Sequence, residues 1–228
     1  MTEAKRQAAR EALAFLPERG VVGLGSGSTA ELFIEEVGRL VAAGRSLYGV
    51  PTSDASRRQA AALRIPLLPD SGPWPIDVCV DGADEVSAAL DLIKGGGGCH
   101  SREKIVNAAA RTNVIVVDES KLSQKLGERW AVPVEVLTFG AQSTRRRLEQ
   151  LGQVKLRERD GRPFLTDAGN YIFDVRAGVI EDPAALDHAL RAIPGVVETG
   201  LFIARADVVV VAGPGGVRRL ERARAAEA

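Results

Sequence analysis

Two runs in this chain, VIVV at 114–117 and VVVVA at 208–212, are apolar at every position rather than at every second one. A strand with one wet face alternates in polarity. A strand with no polar position must be covered on both sides, as in a parallel sheet flanked by helices. Strand candidates in the first half are Val21–Leu24, Ser46–Val50, Ile76–Val80 and Asn113–Val117, and helical patterns occupy Thr29–Ala43, Asp54–Leu63 and Glu103–Arg111. Strand and helix in alternation predict an α/β fold, an open, mostly parallel Rossmann-like sheet with helices on both faces and right-handed crossovers.

From about Trp130 the pattern changes. VPVEVLTF reads as a strand, STRRRLEQLG as a helix closed by Gly152, and QVKLRERDGRPFLTD as a hairpin turning at Asp160-Gly161. NYIFDVRAG is another strand. A helix with Pro183 at its first position runs from Asp182 to about Ile193, and VETGLFI closes the series. The order β-α-β-β-α-β predicts an inserted ferredoxin-like α+β small domain at 129–203, with 1–128 and 204–228 forming the large domain.

Each polar motif of the first half follows a strand: GSGST at 25–29, TSDAS at 52–56, DGADE at 81–85 and DESK at 118–121. Loops at the carboxyl ends of parallel strands gather ligands, so these four are expected to share one crevice. Gly25 to Thr29 suits a phosphate at a helix N-terminus, and equally a plain helix start with Ser28 and Glu31 as a capping box. Asp81, Asp84 and Glu85 are compatible with acid/base work, with a solvated turn, or with a metal site. The stretch continues as VSAALDL, without the alternating oxygen ligands of a carboxylate metal loop.

Lys94 then precedes four glycines, Gly95 to Gly98. Glycine is the costliest residue to order, so such a run is expected where backbone must come close to a reacting ligand. Glu103 follows in a first helical turn, with Ser101 as the expected N-cap. It reads either as a dipole partner or as a general base whose oxyanion Lys94 stabilises. Cys99 and His100 lack the other members of a nucleophilic triad or a zinc site, and His100 is left open between substrate and solvent. Cys79 reads as a small buried hydrophobe and His188 as a surface helix residue.

Thirty basic and thirty acidic residues balance, so no global field favours nucleic acid or membrane. No apolar run reaches the roughly 20 residues of a bilayer span. The start, MTEAKRQAAREAL, is a charged amphipathic helix without the apolar core of a signal peptide. Two cysteines make no disulfide framework, and a cytoplasmic protein is expected. Lysine is used six times, at 5, 94, 104, 121, 125 and 155, and three of these fall in or beside the Gly-rich and Asp-rich motifs.

GSGST, SDAS, DGADE, KGGG followed by REKI, DESK, and LG followed by AVPVEV occur in that order. Together they resemble ribose-5-phosphate isomerase of the A type over nearly the whole chain. A sugar-phosphate sensor on the same fold, which would have no need of the acid–lysine–acid constellation, and an amino-sugar phosphate deaminase are the alternatives, and ketose formation from ribose 5-phosphate would separate them. The resemblance implies interconversion of D-ribose 5-phosphate and D-ribulose 5-phosphate through a cis-enediolate, without metal or organic cofactor. It implies Glu103 as the base, Lys94 and the Gly95, Gly96 and Gly97 amides as the charge stabilisers, and Asp81 as the group that assists ring opening. Asp84 would hold hydroxyls and tune Lys94, with Gly82 and Ala83 beside it. Ser26, Gly27, Ser28 and Thr29 would receive the phosphate, helped by Lys121 and Lys5. A homodimer or homotetramer acting on a small sugar phosphate is implied as well. The family usually carries small apolar residues where this chain has Gly98-Cys99-His100.

Overall fold

The computed structural model describes residues 2–222; Met1 and residues 223–228, at the two ends of the expected large domain, lie outside the described residues. The first elements are α1 (Thr2–Glu11), β1 (Arg19–Leu24), α2 (Ser28–Ala42), β2 (Ser46–Pro51), α3 (Asp54–Ala62) and β3 (Ile76–Asp81). Next come β4 (Glu85–Val86), β5 (Leu92–Ile93), α4 (His100–Ala109), β6 (Ala110–Asp118), β7 (Val132–Val136), α5 (Ala141–Leu148) and β8 (Gln153–Leu156). The chain closes with β9 (Glu158–Arg159), β10 (Arg162–Pro163), β11 (Tyr171–Arg176), α6 (Pro183–Arg191), β12 (Val196–Thr199), β13 (Leu201–Phe202), β14 (Val208–Gly213) and β15 (Gly216–Glu221).

By their internal contacts the described residues form two compact units, one of residues 2–82, 106–120 and 204–222, the other of Ala83–Ile105 and Lys121–Ile203. The first holds a six-stranded sheet in the order β15-β14-β6-β3-β1-β2. Five of its strands are parallel, and β15, absent from the sequence reading, returns antiparallel along β14. The apolar runs behave as their composition demands. Val22, Leu24, Val78, Val80, Val114, Val116, Val208 and Val210 pack on one face with Phe33, Ile34 and Val37 of α2. Val21, Val50, Ile76 and Cys79 pack on the other with Val106 and Trp74. Successive residues of one strand point to opposite faces, so a strand buried on both has no place for a polar residue.

Helix limits moved in several places, and α5 starts at Ala141 and ends at Leu148, short of the expected closure at Gly152. Helix α4 begins at His100 rather than Glu103, and its end passes directly into β6, so Arg111 lies in a strand. The expected Ser101 N-cap is therefore already inside the helix, and its hydroxyl bonds Glu135 instead. At α2 the N-cap is Gly27 and no side chain caps it, so the Ser28–Glu31 box does not form. The capping box is at α3, where Ser53 and Ser56 bond one another's backbone N–H.

In the second unit β7, α5, β8, β11, α6 and β12 build a four-stranded antiparallel sheet in the order β12-β7-β11-β8, the ferredoxin-like arrangement. Asp160 and Gly161, both at positive φ, turn the β9–β10 hairpin. The predicted single strand VETGLFI is broken at Gly200. Beyond the break, β13 leaves for a small three-stranded sheet with β5 and β4. That pairing groups residues 83–105 and 121–128 with the second unit, whereas the sequence reading put them with the large domain.

Candidate active site

In the first unit, three strand-end loops meet at Ser26. Its backbone N–H donates to Asp81 Oδ1 at 2.9 Å, and its hydroxyl donates to Ser53 Oγ at 2.7 Å and lies 2.8 Å from Thr52 Oγ1. Asp81 is 3% exposed and also accepts from the Gly82 N–H at 2.7 Å, which fixes the carboxylate at the end of β3. Gly27 and Ser28 are exposed at the open N-terminus of α2, where uncapped N–H groups and the helix dipole favour an anion. Thr29 is buried under the first turn. Lys5 of α1 donates to Ser28 Oγ at 2.9 Å. The fourth loop is different. Asp118 of DESK bonds back to Ser120, and the loop lines a pocket of about 500 Å³ with Glu3, Gln7 and Gly213.

In the second unit, Lys94 Nζ lies 3.2 Å from Glu103 Oε2, with both side chains almost wholly buried. Removing two such charges from water is costly unless each has its partner, so the pair is a matched acid and base held dry. Asp84 Oδ2 accepts from the Gly96 N–H at 2.6 Å. Lys121 places its ammonium 5.0 Å from the centroid of Trp130. The third carboxylate of DGADE, Glu85, is fully buried and accepts from Ser123 Oγ and from the N–H groups of Gly127, Arg129 and Trp130. It ties β4 to the 123–130 loop and takes no outward position. Among the described residues no group of three or more His, Cys, Asp or Glu is placed to hold a metal ion.

The glycine run has a different cause from the one expected. A Cβ on Gly95 would stand 2.6 Å from His100 Nδ1, on Gly96 2.6 Å from Asp84 Oδ1, and on Gly98 2.4 Å from the Phe164 ring. Gly95 and Gly98 also have φ of +104 and +86. Three of the four are thus fixed by the protein's own packing, and only Gly97 faces open space. Arg157 secures the same loop from the carbonyl side, donating to Gly95 O at 2.6 Å and Gly96 O at 3.2 Å while paired with Asp174. His100 does not face solvent. It is fully buried, with Nε2 3.3 Å from the Glu198 carbonyl, and burial pushes its pKa down to about 3.

The sequence model of ribose 5-phosphate isomerase A (phosphoriboisomerase A) matches residues 48–216. The chain belongs to the ribose 5-phosphate isomerase A family. A ribose-5-phosphate isomerase A of Rhodopseudomonas palustris (strain BisB18) is 46% identical over 228 residues, covering 96% of this chain and 98% of that protein. The solved ribose 5-phosphate isomerase A of Methanocaldococcus jannaschii superposes with a TM-score of 0.90 at 41% identity, covering 96% of this chain and 98% of that one. A D-ribose-5-phosphate isomerase solved in complex with phospho-erythronic acid gives 0.93 at 39% identity, with the same coverage.

Of the site residues expected for this ribose 5-phosphate isomerase A chain, the structure places Ser26 against Asp81, Lys94 against Glu103, and Lys5 against Ser28. The sequence motifs missed Arg157, whose position in a hairpin carries no local signal, and Phe202, whose ring lies beneath two lysines.

Proposed function

We propose that this chain interconverts D-ribose 5-phosphate and D-ribulose 5-phosphate, as an isomerase of the pentose phosphate pathway, with Glu103 as the proton-transfer base. The buried Glu103–Lys94 pair carries the reading. A carboxylate held dry beside a fixed ammonium is poised to take a carbon-bound proton, and the ammonium is in place for the oxyanion that results. Asp81 assists opening of the furanose ring. Glu103 then removes the proton from C2, giving a cis-enediolate, and returns it to C1, while a hydroxyl proton passes from O2 to O1. Lys94 and the Gly95 and Gly97 amides stabilise the enediolate oxygens; the Gly96 amide, bonded to Asp84, acts by holding that carboxylate toward the sugar hydroxyls. Ser26, Gly27, Ser28 and Thr29 receive the phosphate with Lys5 and Lys121, and the backbone of Gly82 and Ala83 completes the substrate contacts. Phospho-erythronic acid on the relative fits this chemistry, since its planar carboxylate resembles the two oxygens of a cis-enediolate.

The reaction in this reading needs neither metal nor organic cofactor. Its setting is the cytoplasm, which the lack, among the described residues, of any helix long and apolar enough to cross a membrane supports. A homodimer or homotetramer is supported by the apolar surface of Leu137, Phe139 and Val197, Phe139 being 92% exposed.

The test is Glu103→Gln in chelator-treated protein, following ketose formation from ribose 5-phosphate. Losing the base should lower kcat by roughly 10²–10⁴-fold with KM little changed. Near-normal turnover would remove Glu103 from this role.

A further inference from the structure

The aromatic ring of Phe202 is fully buried, and two ammonium groups lie against it: Lys94 Nζ at 5.5 Å from its centroid and Lys104 Nζ at 4.8 Å. Each lysine has its own carboxylate, Glu103 for Lys94 at 3.2 Å and Glu198 for Lys104 at 2.8 Å. Lys104 is tied down further by Thr199 O at 2.7 Å and Thr199 Oγ1 at 3.4 Å. The backbone is held at the same place. Lys94 donates its N–H to Gly200 O at 2.9 Å, and a Cβ on Gly200 would stand 2.2 Å from Lys94 O. Strand β13 pairs Leu201 with Ile93 and Phe202 with Leu92, directly before Lys94. The segment Thr199–Phe202 is a platform under Lys94.

We infer that Phe202 is a positioning residue that holds the Lys94 ammonium while its carboxylate partner loses its charge. The inference rests on the proton-transfer reading of Glu103 and Lys94. When Glu103 accepts the substrate proton it becomes neutral, and the negative charge passes to the enediolate oxygen. Lys94 must stay charged and in place as its counterion changes from Glu103 to the substrate. An aromatic face attracts a cation through its quadrupole, carries no net charge, and neither gains nor loses a proton, so it still holds the ammonium when Glu103 has lost its charge, the state in which the position of Lys94 depends on it most. A desolvated cation on such a face is held strongly enough for its loss to cost about tenfold in rate. Lys104, with Glu198 and Thr199, fixes the ring's surroundings and takes no part in the proton transfer.

The experiment replaces Phe202 by mono-, tri- and pentafluoro-phenylalanine, which keep the ring's shape and progressively cancel the negative charge of its face. Phe202→Leu serves as the simple variant. We expect kcat on ribose 5-phosphate to fall with each added fluorine, reaching about tenfold for the pentafluoro ring, with KM little changed and the melting point lowered by no more than about a few degrees. The same trend should persist in a Lys104→Met background. A flat kcat across the series overturns the inference, as does a trend that vanishes without Lys104, because the ring would then serve that lysine. Lys94→Met separates the two levels: wild-type kcat in that variant would refute the underlying reading whatever the fluorine series shows.

Discussion

Alanine substitution through the glycine run tests whether packing or substrate selects each glycine. At Gly98 the new Cβ would be 2.4 Å from the Phe164 ring on a backbone with φ +86. A left-handed conformation costs an L-residue roughly 1–2 kcal/mol and overpacking a filled site roughly 1–3 kcal/mol, so Gly98→Ala should lose about 2–5 kcal/mol. For a chain of this size that is a fall of roughly 5–20 °C in melting temperature. Gly95→Ala, at φ +104 against His100, should behave alike. A Cβ on Gly97 would meet no atom within 4 Å, and its φ lies outside the left-handed range. Its alanine variant restricts only the unfolded chain, and should melt at or slightly above the parent by up to about 1 kcal/mol. Any loss of kcat or rise of KM in Gly97→Ala then reports on the substrate alone. Thermal unfolding followed by circular dichroism, with steady-state kinetics on the same preparations, separates the cases. A Gly97→Ala protein that melts as low as Gly98→Ala, or a Gly98→Ala protein with the parent's midpoint, would refute the packing argument.

Glu85→Ala leaves four donors without this acceptor, one of them wholly buried, and should cost about 3 kcal/mol in denaturant unfolding, while Glu85→Gln, which keeps one acceptor oxygen, should cost less; a loss below about 1 kcal/mol for the alanine variant would contradict the role assigned to this carboxylate. His100 has its pKa lowered to about 3, so between that value and its ordinary 6.5 the unfolded chain binds the extra proton. The stability it contributes is therefore present in full above pH 6.5 and lost as the pH falls toward 3. Melting points measured across this window should drop more steeply for the parent than for His100→Leu, and parallel curves would show that His100 is not the group responsible.

The layered α/β core was legible because VIVV and VVVVA leave no polar position, and burial on both faces is their only outcome. The placement of candidate residues was legible where residue type and neighbourhood agreed: Lys94 and Glu103 do lie side by side, and Asp81 does close β3. What the sequence hid were contacts made across long separations. Glu85 looked like its two acidic neighbours, yet its partners lie 38 to 45 residues on, in a loop with no motif. Ser28 offered a locally complete capping box, but Gly27 caps the helix by backbone alone and Ser28 receives Lys5 instead. The glycine run was legible as a constraint but not in its cause, because His100, Asp84 and Phe164 come close only after folding.

The first sheet places its last-made strands beside β6 rather than at the far side near β2. During synthesis from the amino end, β6 therefore has β3 along one edge and nothing along the other until residues 208–213 have been added. That bare edge carries VIVV, the kind of segment that templates intermolecular pairing. A ribosome stalled or a message cut shortly before this point would release a chain with its second unit complete and its most adhesive strand uncovered. The antiparallel β15, with Arg218 and Arg219 along it, is the cover that arrives last, and its charged outer edge ends the sheet.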